Sequence, residues 1–172
     1  MPLPEFIPAS PVAGYTRYIG PIVLGMNDAL VEMTGALAGF TMALGNNKLI
    51  ALAGLTTGVA ATLSMAAAEF LAKEAASARQ PWKAACYTGT SYLVTVALLL
   101  LPFFLLTEPL KALTICLLTA TIIIFFLTML VSRIRQTCFW IYFLKMLAIS
   151  FSVAAISFLI SWCARIWWGI EI

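Results

Sequence analysis

Residues 21–44, PIVLGMNDALVEMTGALAGFTMAL, are long and apolar enough to cross a bilayer, yet they carry Asp28 and Glu32 one helical turn apart. A charged side chain at mid-membrane costs about 2.5–3.5 kcal/mol even on insertion-based scales, so acids kept there are expected to serve a purpose. On a helix the face of Asp28 continues through Glu32, Gly35, Gly39 and Met42. Gly35-Ala-Leu-Ala-Gly39 is a GxxxG, which lets another helix come close. The helix thus presents acids and a thioether along a seam that other helices can reach.

The rest of the chain fits a membrane setting. It is 63% hydrophobic and 10% charged, with a mean hydropathy of +1.02, outside the range of soluble domains. The expected fold is an all-α integral membrane protein with five transmembrane helices, forming a homodimer. Residues 1–18 read as a Pro-punctuated cytoplasmic tail without a cleavable signal, and residues 19–172 as one transmembrane domain. Its spans are expected at about 21–44, 49–72, 84–106, 110–131 and 139–164, each near the roughly 20 residues that cross a hydrocarbon core. Gly45-Asn46-Asn47-Lys48 marks a tight hairpin, and Pro81 is expected to mark a helix end in the polar stretch 73–83.

Five spans put the termini on opposite sides. Arg17, Lys73, Arg79, Lys83, Arg133 and Arg135 collect on the N-terminal side, with Lys145 a little way into the last span; the opposite side holds Lys48, Lys111 and Arg165. The positive-inside rule then places the N-terminus in the cytoplasm and the C-terminus outside or in a lumen. Trp162, Trp167 and Trp168 form an aromatic belt where the last helix leaves the membrane. No basic patch interleaved with aromatics suggests nucleic acid.

The chain has no His, and its four cysteines, Cys86, Cys116, Cys138 and Cys163, have no CxxC spacing, so neither a zinc site nor a disulfide framework is indicated. They read as small apolar packing residues. Metal ligation would fall to carboxylates, thioethers, thiols or backbone oxygens. Taking the hairpin as centred on Asn46 and Asn47, Asp28 and Met65 are each eighteen residues from the turn and so at matched depth. A carboxylate facing a thioether suits a borderline ion such as Fe²⁺ better than Ca²⁺ or Mg²⁺, which take oxygen alone. Glu32 adds a second oxygen ligand or a proton carrier, and Glu69, one turn from Met65, an entry group. The plainer readings are an Asp28–Lys145 ion pair, a packing role for Met65, Asn27 and Thr57, and a Glu69–Lys73 pair at a helix end. No nucleophile, general base or phosphate-binding loop is assignable, so an enzyme is not expected.

GMNDALVEMTGALAG, followed after a short turn by LSMAAAEFL, resembles the vacuolar iron transporter family. The resemblance implies a dimer that moves Fe²⁺ or Mn²⁺ out of the cytosol, commonly in exchange for protons, with the metal as substrate and no resident cofactor. It assigns ion binding to Asp28 and Met65. The chain departs from the family in three places. Pro21 stands where eukaryotic members have a second aspartate, Thr57 stands where they have a proton-coupling glutamate, and the long Glu-rich metal-binding domain between the second and third spans is missing, which makes this a short form. Glu32 is the candidate replacement carboxylate. The expected location is a prokaryotic cell membrane, and a ferritin-like protein is a candidate partner for metal capture. Two alternatives remain at this level: a non-transporting membrane anchor or assembly subunit for an iron-handling protein, and a proton-coupled exporter of organic cations.

Overall fold

The computed structural model describes residues 11–169, with side chains from Tyr18 onward; residues 1–10 of the expected tail and the Arg17 side chain lie outside the described residues. Five helices follow one another: α1 (Pro11–Leu44), α2 (Asn47–Ala75), α3 (Pro81–Leu105), α4 (Pro109–Arg135) and α5 (Phe139–Trp168). Among the described residues there is no strand. Residues 11–18, expected as tail, are the first turns of α1.

Four of the five, α2 to α5, are long and apolar enough to cross a membrane. The exception is α1. Its length is ample, since 34 residues at about 1.5 Å each reach about 51 Å. What sets it apart is composition: Asn27, Asp28 and Glu32 interrupt the apolar run. The arrangement compensates for this, because α1 packs against all four other helices, and Ala29, Leu30, Met33, Leu37 and Ala38 lie in the core. A helix that carries polar groups through hydrocarbon is tolerated where protein surrounds it.

The connections are short. Gly45 takes a left-handed conformation (φ 59°), which costs glycine nothing, and Asn46 caps α2 by accepting from the Lys48 and Leu49 backbone N–H groups at 2.9 and 3.4 Å. Asn47, buried, donates to the Leu106 carbonyl at 2.6 Å and ties the start of α2 to the end of α3. Residues 76–80 alone separate α2 from α3. Pro81 opens α3 and does not close a helix, contrary to the expectation: a residue lacking an N–H is best placed in a first turn, where that N–H has no helical partner.

Small residues set the helix spacing. A side chain at Gly35 would strike Val153, and one at Gly39 would crowd Ser157 and Ser161. The GxxxG of α1 is therefore filled from within the chain, by α5, which runs parallel to α1. Farther along the same pair, Arg165 Nη1 donates to the Met42 carbonyl at 3.2 Å, a cation placed at the negative end of α1. Aromatic residues ring both ends of the bundle: Trp82, Tyr87 and Trp140 are exposed at one, and Trp162, Trp167 and Trp168 at the other. That pattern, with the apolar outer surfaces of α2 to α5, is that of an integral membrane protein.

Candidate metal site

Beyond Gly35 the acid-bearing face of α1 is covered by α5, but nearer the N-terminus it is open. Gly20, Leu24 and Glu32 are exposed and Asp28 is half-buried, so residues spaced i, i+4, i+8, i+12 form an uncovered ridge. Neighbouring positions are anchored on either side of it. Asn27 donates to Tyr142 Oη of α5 at 3.2 Å. Thr88 of α3 donates to the Pro21 carbonyl at 3.2 Å, and a side chain on Gly25 would collide with the Thr88 carbonyl and the Ser91 hydroxyl. Residues 21–27 are thus locked to α3 and α5 while Asp28 and Glu32 project between them.

Glu32 has a partner that sequence reasoning missed. Tyr92, fully buried on α3, donates its hydroxyl to Glu32 Oε2 at 2.6 Å. Nothing local points to this contact, since the residues are sixty positions apart and Tyr92 lies in a run of apolar and hydroxyl residues. Asp28 lies within electrostatic reach of both Glu32 and Tyr92. Among the described residues Asp28 has no hydrogen-bond donor and no ion pair with Lys145; the ion pairs present are Glu69–Lys73 and Glu108–Lys111. Asn27 Oδ1, on the residue next to Asp28, is buried without a partner among the described residues.

The position of Met65 follows from contacts at the far end. A side chain on Gly54 of α2 would meet both Leu37 of α1 and Leu100 of α3, which marks one level across three helices. Nine residues back along α1 is Asp28, and nine forward along α2 is Leu63. Met65 therefore sits two residues, about 3 Å, toward the N-terminal end of α1 from Asp28. The offset arises because the turn is Gly45-Asn46, between Leu44 and Asn47, one position earlier than a hairpin centred on Asn46 and Asn47. Met65 lies on the inward stripe of α2, between the buried Thr62 and Glu69, and packs against the core. Thr57 is half-buried on the same helix.

Glu69 is 9% exposed and lies 3.5 Å from Lys73, the plainer of the two arrangements its spacing allowed. Among the described residues no three Asp, Glu, Cys or His side chains converge into a metal-binding group, so Asp28, Glu32 and Glu69 are not one cluster within a chain. The cysteines are free thiols; Cys116 is buried in the core and the other three are exposed.

Comparison with known proteins adds an independent observation for α1 and α2. Residues 19–78, about a third of the chain, match the model of the VIT family. The segment takes in α1 from Ile19, its turn and all of α2, and thus holds Asp28, Glu32, Met65 and Glu69. A comparison with curated proteins gives no match. The match supports a transport reading of this segment.

Proposed function

We propose that the chain is a homodimeric transporter that moves Fe²⁺ or Mn²⁺ out of the cytosol, with all five helices crossing the membrane and the N-terminus cytoplasmic. The observation that carries this reading is the uncovered ridge of α1: two carboxylates stand on an otherwise apolar flank, in the segment that matches the VIT family, without a basic partner among the described residues. Carboxylates facing lipid would be costly, so a second copy and a polar path belong there. Two protomers related by a twofold axis bring four carboxylates and two thioethers to that path, enough oxygen and sulfur for a borderline divalent ion. Asp28 and Glu32 lie near the middle of α1, with Met65 of α2 at a similar level, and the orientation set by the Lys and Arg distribution puts the N-terminal end of α1, and with it the entrance, on the cytoplasmic side. Glu32 takes the carboxylate role that Thr57 cannot supply, as ligand or proton carrier, whereas Glu69 with Lys73 flanks the entrance. Metal delivery by a ferritin-like partner is compatible with the short 76–80 connection, which leaves no room for a capture domain between α2 and α3.

Flux of Fe²⁺ or Mn²⁺ into proteoliposomes tests the reading. Wild-type protein gives metal-dependent flux that Asp28→Ala and Met65→Ala remove. Wild-type flux retained by either variant contradicts it.

A further inference from the structure

The Tyr92–Glu32 hydrogen bond, at 2.6 Å from a fully buried donor, does more than satisfy a phenol. A carboxylate has two oxygens, and one of them, Oε2, is engaged by Tyr92. The distinction matters because the divalent ions differ in what they ask of a carboxylate. Ca²⁺ gathers six to eight oxygens and readily takes both from one carboxylate, whereas borderline transition ions accept fewer ligands and tolerate sulfur. We infer that Tyr92 is a positioning residue that, by engaging one lone pair of Oε2, orients Glu32 to offer Oε1 first and weakens two-oxygen chelation, and thereby disfavours Ca²⁺ at the α1 path.

The inference rests on the proposed transport function and extends it to selectivity. Tyr92 is well placed for such a task. It lies on α3, held against α1 by the Thr88–Pro21 hydrogen bond and the close approach at Gly25, and at 0% exposure its ring cannot swing away without opening the core. Its hydroxyl therefore fixes Glu32 from outside the ion path. Outer hydrogen bonds of this kind orient ligating carboxylates, and their loss changes metal affinity by about 10–100-fold.

The test is equilibrium binding of radiolabelled Ca²⁺ and Mn²⁺ to the full-length detergent-solubilised protein, read as the ratio of the two dissociation constants. Tyr92→Phe keeps the ring and removes the hydroxyl; the expected result is a shift of the ratio toward Ca²⁺ by about tenfold, the lower end of such effects. In a Glu32→Gln background the same substitution is expected to change nothing, because the group it acts through is gone. A merely structural role for Tyr92 would weaken both ions alike and leave the ratio fixed. If the Phe variant is not monodisperse, Tyr92→Met fills the space between α1 and α3 without a hydroxyl and replaces it. An unchanged ratio, or an equal shift in the Glu32→Gln background, overturns the role of Tyr92. Absence of Mn²⁺ binding to the wild type, or wild-type flux retained by Glu32→Gln, overturns the transport reading of Glu32 and this inference with it.

Discussion

Two carboxylates one turn apart meet different surroundings. Glu32 is held by Tyr92, while Asp28 is half-buried with no donor among the described residues. In the proposed transport path, that difference gives Asp28 the more direct contact with the ion. Asp28→Asn preserves shape and removes charge, and it is expected to lower metal flux by more than the roughly 10–100-fold that loss of an outer-shell contact brings; flux within twofold of wild type would contradict the assignment. Met65→Leu keeps volume while removing sulfur, a swap the packing tolerates at less than about 1.5 kcal/mol. Its expected effect is loss of Fe²⁺ flux with the thermal midpoint little changed, read by flux and by unfolding in detergent. The acids themselves were legible because charge in an apolar run is conspicuous. Tyr92 was not, since its meaning depends on a contact across sixty residues.

At the level of elements, hydropathy located all five helices to within a few residues at most ends, because their apolar runs stop at turn chemistry: Gly45-Asn46 after α1, and proline at the start of α3 and α4. Two features were out of its reach. The start of α1 was read as tail because Pro11 and its neighbours carry little hydropathic signal, and the partner of the α1 GxxxG was open because periodicity identifies a face without naming what covers it. The structure assigns that partner to α5. The tightest seam near the acids is α1 with α3, where Gly25 meets the backbone of Thr88. Gly25→Ala is expected to force the two helices apart and to lower stability by about 1–3 kcal/mol, with flux falling as Asp28 moves. An unchanged thermal midpoint would show that the seam yields without cost.

For the whole molecule, the one helix that does not qualify as a span by composition among the described residues, α1, packs against all four that do. The proposed homodimer would place a second copy on the flank of α1 that carries Leu24, Asp28 and Glu32. A single cysteine at Leu24, introduced after replacing Cys86, Cys138 and Cys163, which are exposed, is expected to cross-link to its counterpart in native membranes, whereas a cysteine at the outward-facing Leu118 is expected to remain monomeric. Cross-linking at Leu118 and not at Leu24 would move the interface elsewhere. The most direct measurement of the central claim is anomalous scattering from crystals soaked in Mn²⁺ or Fe²⁺. The account predicts a peak between Asp28 and Met65 at the twofold axis, with Glu32 alongside; ordered metal found only at Glu69 or Glu108, with none at Asp28, would contradict it.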